Sequence, residues 1–308
     1  MESELIAYLR RRLPSHPMLR LGIGDDAAVL RRAGADDCVL TVDLLTDHVD
    51  FELAEVDPRR VGRKALAVNL SDLAAMAAEP LAGVVALVLP RQGGMELAVA
   101  LYEGLLPLAE QYGVALAGGD TNSWDGPLAV SVTLVGKVTP AGPLVRGGAL
   151  PGDRIVVTGA FGGSILGHHL DFEPRVAEAL TLAEAYELHA GIDVSDGLSI
   201  DLAHLAEESG CGATIEIEAV PLADAAFRLV DRLGDGSTPW EHALSDGEDF
   251  ELILAVPPEE ADRMLAEQPL DVPLTSIGRF VEEPGLWQRD ARGARRPLVA
   301  RGYQHEFE

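Results

Sequence analysis

The side chains in this sequence best placed to do chemistry are aspartates, which recur at bends beside apolar runs. Gly22-Ile23-Gly24-Asp25-Asp26 leads into the apolar residues Ala27 to Leu30. Asp43 ends the run Val39, Leu40, Val42 and opens a loop holding Asp47, His48 and Asp50. Asp120 follows Gly118-Gly119. Asp193 and Asp196 flank Ser195 within Ile192 to Gly197. Ser245-Asp246-Gly247-Glu248-Asp249 precedes Phe250 to Val256. Like charges beside a core are costly unless a cation neutralises them, and hard divalent cations take oxygen ligands from Asp. The alternative at each bend is a turn whose side chain accepts backbone N–H groups. At Ser195 or Asp196 a helix N-cap is compatible with either.

Asp72 is more telling. On a helix, Val61, Ala65, Val68, Asp72, Ala75 and Met76 share one stripe, so Asp72 falls on an otherwise apolar face. Lys64 and Arg63 lie two turns away and cannot easily reach it. Period 2 puts Asp193 and Ser195 on one face of a strand that feeds a helix, a junction suited to a metal–phosphate complex. Arg146, in a Gly/Pro-rich segment, is either a cation for a phosphate oxygen or a surface salt bridge. There is no Walker A, GxSxG or HExxH pattern and no paired CxxC. His168-His169 reads as a helix-surface pair. Several aspartates at strand and helix ends could gather two or more Mg2+ ions, bridge nucleotide phosphates and align an in-line displacement. That chemistry suggests a kinase or synthetase outside the P-loop class.

Positioning these groups requires many short elements. The 308 residues suffice for one large or two ordinary domains, and the periodicity switches repeatedly between strand and helix, as in an α/β protein. Helices are predicted over 4–13, 57–78, 96–112, 175–189, 198–208, 222–233 and 258–267, with a further one opened by Phe161-Gly162-Gly163. Strands are predicted over 21–30, 38–43, 82–89, 114–118, 128–137, 154–158, 213–218, 250–256 and 274–279, with another entering the helix after residue 191. The segment 141–153 is the best domain boundary, giving domains at 1–148 and 149–308. A net charge of −26 argues against nucleic acid or anionic membrane as partner. No apolar run approaches bilayer length. The start Met1-Glu2-Ser3-Glu4 lacks a signal-peptide layout, and Cys38 and Cys211 form no ligand spacing. A cytoplasmic location is expected.

The order of the motifs then becomes informative. GIGDDAAVL (22–30), TVD (41–43), KALAVNLSDLAAM (64–76), AGGDT (117–121), GIDVSDGLSIDL (191–202) and ALSDGEDFEL (243–252) together closely resemble the thiamine-monophosphate kinase family of the PurM-like (AIR synthetase-related) superfamily. The resemblance implies a PurM-like two-domain fold. Its N-terminal mixed sheet with helices pairs across a homodimer, and its C-terminal domain is α/β. ATP is implied as co-substrate, several Mg2+ ions as cofactors, and thiamine monophosphate as phosphoryl acceptor. It also implies Asp26, Thr41, Asp43, Asp72, Asp120, Asp193 and Asp196 as metal ligands. Tyr112, Gly119, Asp120, Arg146 and Ser195 are implied as nucleotide contacts, with Tyr112 stacking near adenine. Asp50, Glu248 and Tyr303, in the tail Gly302–Phe307, are implied at the thiamine end, and no side chain as a catalytic acid, base or nucleophile.

Three positions depart from the family pattern. Val42 replaces a hydroxyl residue in the Ser/Thr-Thr-Asp turn. Asp50 stands where a histidine contacts substrate, with His48 as a substitute. Asp246 replaces the first glycine of Gly-Gly-Glu-Asp and adds negative charge near the pocket. Among relatives, selenophosphate synthetase needs a reactive Cys or selenocysteine near the N-terminus, whereas the first cysteine here is Cys38. The hydrogenase-maturation relative ends in cysteine, whereas this chain ends in Glu308. Aminoimidazole-ribonucleotide synthetase is the nearest rival enzyme. A non-catalytic, acidic, divalent-metal-binding protein is the rival from another class.

Overall fold

The computed structural model describes Glu2–His305. Met1 of the N-terminal expectation, and Glu306, Phe307 and Glu308 of the C-terminal ones, lie outside the described residues.

Two mixed sheets organise the chain. The first has six strands, β1 (Leu19–Leu21), β2 (Ala28–Leu30), β3 (Cys38–Thr46), β4 (Ala78–Pro90), β5 (Ala115–Trp124) and β6 (Ala129–Val138). Their order is β1-β2-β3-β6-β4-β5. Every pairing is antiparallel except β4 with β5, which is parallel. Alternation fixes its faces: Val130, Val132 and Leu134 of β6 point into a core with Leu66, Leu70 and Leu73. On β3, Val42 and Leu44 stay exposed, as does Val84 on β4.

Helices α1 (Glu2–Arg12), α2 (Pro58–Ala75) and α3 (Gly94–Gln111) complete this half. Asp57 caps α2 by accepting the Arg59 N–H, and Pro58 fills the first helical position. Two glycines let α2 and α3 touch backbone to backbone. A Cβ on Gly62 would lie 1.9 Å from the Leu101 carbonyl oxygen, and one on Gly104 1.7 Å from that of Arg59.

The second sheet holds β7 (Arg154–Thr158), β8 (Ala190–Asp193), β9 (Gly212–Glu216), β10 (Leu252–Val256), β11 (Leu274–Val281), β12 (Gly285–Arg289) and β13 (Arg295–Pro297). The order is β13-β12-β9-β11-β7-β10-β8, with only β12 and β9 parallel. All five residues of β10 are buried, as a strand covered on both faces requires. Leu252, Leu254 and Val256 join the core that contains α2. Ile253 and Ala255 face a second core closed by Leu198, Leu202 and Leu205. The helices here are α4 (His168–Asp171), α5 (Val176–Ala185), α6 (Leu198–Glu208), α7 (Asp224–Leu233), α8 (Pro239–Ser245) and α9 (Pro258–Glu267).

α2 is the link between the halves. Arg60 donates to Asp171 Oδ1 (2.9 Å), Arg63 to Glu173 Oε2 (3.1 Å), Lys64 to Glu248, and Ser71 to Asp193 Oδ2 (2.5 Å). At 100° per residue these four donors lie on one side of the helix.

Several element expectations are corrected. The strand expected over 21–30 is broken by a loop at 22–27, where Gly24 has φ 119°. α2 stops at Ala75 rather than Ala78, because Ala77 turns left-handed (φ 48°). Pro80 falls beyond the helix. It sits inside β4 beside a register shift, where a missing N–H is tolerated. The strand expected over 114–118 instead runs on to Trp124, with a shift opposite Gly83/Val84 absorbed at Gly118 (φ 133°). Gly162 and Gly163 both have positive φ, so Phe161 opens only a 3₁₀ turn, Ser164–Leu166. α5 ends at Ala185, not 189.

Candidate active site

Three carboxylates from three elements meet between the sheets. Asp26 projects from the loop between β1 and β2, Asp72 from the last turn of α2, and Asp193 from the end of β8. Each offers an oxygen within 4.8 Å of the others. Around them, the Thr41 hydroxyl on β3 donates to Asp72, Ser71 donates to Asp193, and Arg146 donates through Nε to Asp26 Oδ1 (3.1 Å) and also through Nη2. The Asp26 side chain is 1% exposed and that of Arg146 22%. Arg146 is therefore an inward-facing partner of the cluster, and its surface-bridge reading is corrected.

The cluster carries more negative charge than Arg146 can balance. Burial, then Asp43, Asp193 and Asp26, push the Asp72 carboxyl well above the usual range against the Thr41 hydrogen bond. Burial and Asp26 push Asp193 up to about 7, opposed by Ser71 and Arg146. Asp43 is pushed up to about 6 by burial and then Asp50. Arg146 keeps its proton more firmly than usual: burial works against its charge, but Asp26 and its neighbours outweigh that. Among the described residues, Asp26 Oδ2 and Asp43 Oδ2 are buried without a hydrogen-bond partner. Unpaired buried carboxylate oxygens among like charges fit a divalent cation with oxygen ligands.

Asp25 does different work. Its Oδ1 accepts the Asp26 N–H (3.1 Å) and its Oδ2 the Arg146 N–H (3.1 Å), fixing the bend that aims Asp26. Its pKa is pushed up to about 6 by burial and Asp26, against the Arg146 hydrogen bond. Ser195 and Asp196 follow Asp193 into α6. Neither is the helix cap: Gly197 holds that position, and Asp201 reaches back to accept the N–H groups of Asp196 and Gly197, both at 3.0 Å. The carbonyl of Asp196 accepts the Tyr303 N–H (2.9 Å), which brings the tail to this corner.

A second group surrounds Glu248, which sits at φ 63° with its N–H on the Ser195 carbonyl (2.7 Å). Its carboxylate takes the Lys64 ammonium, which also donates to the Asp50 carbonyl (2.8 Å). The Asp50 carboxylate is turned into its own loop, accepting the Thr46 N–H (2.6 Å). His48 pairs with Glu52 (2.9 Å) instead of standing in for a histidine at position 50. Asp246 accepts the Gly163 N–H (2.8 Å) and pairs with His242 (3.0 Å), so its added charge is taken up locally. The expected His168-His169 surface pair is half right. His168 is exposed, although its ring bonds the Asp249 carbonyl (3.0 Å), whereas His169 is 7% exposed and bonds the Ser164 carbonyl (2.8 Å).

Gly119, Asp120 and Tyr112 are not brought to the cluster within the chain. Gly119 and Asp120 are exposed along β5, an edge strand, and Asp120 Oδ1 accepts the Thr121 N–H (2.9 Å). Tyr112 follows α3 and donates its hydroxyl to Glu173 (2.7 Å) and the Pro174 carbonyl (2.9 Å). Lys64, Ser71 and Asp201 were not singled out as site residues by sequence reasoning. A lysine opening the otherwise apolar stretch 64–68, in a chain with only two lysines, was the available signal for the first.

Comparison with known proteins places this geometry. Residues 24–138 match the family model for AIR synthase related protein, N-terminal domain, and residues 151–286 the corresponding C-terminal domain. The thiamine-monophosphate kinase of Rhodopirellula baltica is 44% identical over 99% of this chain and 97% of that protein. The chain belongs to the thiamine-monophosphate kinase family. Solved members superpose along its length. AaThiL complexed with AMPPCP and TMP has a TM-score of 0.81 at 28% identity, covering 99% of this chain and 97% of that one. The thiamine-monophosphate kinase of Stenotrophomonas maltophilia has a TM-score of 0.73 at 34% identity, covering 92% and 95%. Membership accounts for the two mixed sheets.

Proposed function

We propose that this chain is a thiamine-monophosphate kinase, which transfers the γ-phosphoryl group of ATP to thiamine monophosphate and releases thiamine diphosphate and ADP. The observation that carries the reading is the Asp26–Asp72–Asp193 cluster, drawn from both halves of a chain related along its full length to this family. A relative that holds AMPPCP and TMP supports the same pair of substrates here.

In this reading Asp26, Thr41, Asp43, Asp72, Asp193 and Asp196 bind Mg2+, which supplies charge neutralisation and alignment of the phosphates. Arg146 exchanges part of its bond to Asp26 for a phosphate oxygen, and Ser195 serves as a further nucleotide contact. Ser71 and Thr41 hold two of the carboxylates in place. The acceptor phosphate is already ionised, so no side chain must remove a proton from it, and rate enhancement comes from positioning. Glu248 suits a cationic thiazolium or an aminopyrimidine donor, with Asp50 and Tyr303 at the same end of the pocket.

Further expectations accompany the reading. A homodimer is supported by the uncovered face of the first sheet, with Val42, Leu44 and Val84 exposed, and by the open edge of β5. Gly119 and Asp120 on that edge would then serve the nucleotide and metal site of the adjoining subunit. Tyr112 would give up its Glu173 bond to stack near adenine. A division into domains at 1–148 and 149–308 agrees with one sheet on either side of the boundary. The chain has no membrane-crossing helix among the described residues, and we place the enzyme in the cytoplasm without a nucleic-acid or membrane partner.

The test is incubation with ATP, Mg2+ and either thiamine monophosphate or formylglycinamidine ribonucleotide. Thiamine diphosphate formation with the first is expected. Turnover of the second alone would transfer the chain to the purine enzyme, and metal binding without turnover of either would make it a non-catalytic binder.

A further inference from the structure

Lys64 has no part in the reaction as described, yet its placement is unusual. Its side chain is 0% exposed, whereas Lys137, the other lysine, is 41% exposed and lies near Asp36 and Glu79. A buried ammonium is unfavourable unless its donors are satisfied, and an apolar residue of similar volume often serves stability as well or better. Here the donors go to two chosen places. One is the carbonyl of Asp50 at 2.8 Å, and the other is the carboxylate of Glu248.

Glu248 is therefore held twice. Its backbone, left-handed at φ 63°, is tied to the Ser195 carbonyl, and its side chain is tied to α2. The carboxylate still keeps 31% of its side chain exposed. Along α2, Lys64 and Asp72 are separated by about 12 Å at 1.5 Å rise per residue. One rigid helix thus carries the carboxylate that gathers metal near one end and the ammonium that fixes Glu248 near the other.

We propose that Lys64 is a positioning residue for the acceptor substrate, fixing the Glu248 carboxylate and the Asp50 loop where the thiamine ring system binds. This rests on the thiamine-phosphate reading of the pocket. Lys64 directs its ammonium to Glu248 and the Asp50 carbonyl, and not to the Asp26–Asp72–Asp193 cluster. It keeps Glu248 from rotating out of its left-handed turn, so that the carboxylate is pre-set for a cationic ring, and it spans the two halves on which the two ends of the site depend.

Steady-state kinetics on wild type, Lys64→Met, Glu248→Gln and the double variant test this. Lys64→Met should raise KM for thiamine monophosphate about tenfold or more, the scale of a lost charged hydrogen bond, with KM for ATP changed less than about twofold. The double variant should be little worse than Glu248→Gln alone, because Lys64 acts through that carboxylate. Equal rises in both KM values, or fully additive effects, would make Lys64 a structural clamp and overturn the proposal. If Lys64→Met does not fold, Lys64→Gln, which keeps the donor to Asp50 without the charge, is judged by the same outcomes. A wild type that turns over thiamine monophosphate beside a Lys64→Met with unchanged KM refutes Lys64 alone. A wild type without turnover refutes the kinase reading and this proposal with it.

Discussion

Replacing Asp72 by Asn should stabilise the metal-free protein while removing its activity. Asp72 shares a site with Asp26 and Asp193, with oxygens within 4.8 Å of one another. At that separation one like-charge pair costs about 3 kcal/mol at an effective dielectric of 20. The raised pKa of Asp72 leaves part of that repulsion already relieved by protonation, so the gain from Asn is about 1–2 kcal/mol. The hydrogen bond from Thr41 survives, because the Asn carbonyl oxygen can accept it. Thermal unfolding in chelator should then show Tm higher by about 2–6 °C. Adding Mg2+ should raise the wild-type Tm and move the variant much less, and turnover should be largely abolished. A lower Tm for Asp72→Asn in chelator would refute the reasoning and make the carboxylate a structural partner of Thr41. Retained turnover would remove it from the metal site.

Three further outcomes follow from the same geometry. Asp43 and Asp193, raised to about 6 and about 7 in the fold, contribute stability that is fully present below their unfolded pKa near 3.8. That contribution is lost as pH rises through 6 to 7, so Tm in chelator should fall across this window and Mg2+ should flatten the fall; a Tm that rises with pH there would contradict it. Arg146→Gln should raise KM for ATP by about ten- to a hundredfold and, unlike Asp72→Asn, lower the metal-free Tm; an unchanged KM would confine Arg146 to balancing Asp26. Asp246→Gly should cost about 1–2 kcal/mol of stability through its lost bonds to Gly163 and His242, with KM for thiamine monophosphate unchanged. A sharp fall in that KM would show that the extra charge had been repelling substrate.

Much of the site was legible because its chemistry is written in short, local motifs. Asp72 stood out as a carboxylate on an apolar stripe, whereas Asp26 was set apart from Asp25 only by the family resemblance. What local pattern could not give was partnership across the chain. Lys64 read only as a cation two turns from Asp72 and out of its reach, and only the fold sets it against Glu248 at the far end of the sequence. Arg146 looked like an exposed cation until the loop of Asp25 and Asp26 folded onto it. Fold class and most elements followed from periodicity, but boundaries failed where glycine or proline acted against habit. Pro80 entered a strand at a register shift, and Gly118 bent β5 without ending it. β12, β13 and α8 were missed altogether, although Thr238 and Glu241 spell the capping box that starts α8.

The central claim is direct transfer from ATP to thiamine monophosphate across one aligned site. A single-turnover experiment with enzyme in excess over ATP radiolabelled at the γ-phosphate, with Mg2+ and thiamine monophosphate, tests it most directly. The label should appear in the terminal phosphate of thiamine diphosphate at the rate at which ATP disappears, with none on the protein. Labelled protein that passes its phosphate on, or label released only as inorganic phosphate, would contradict the account.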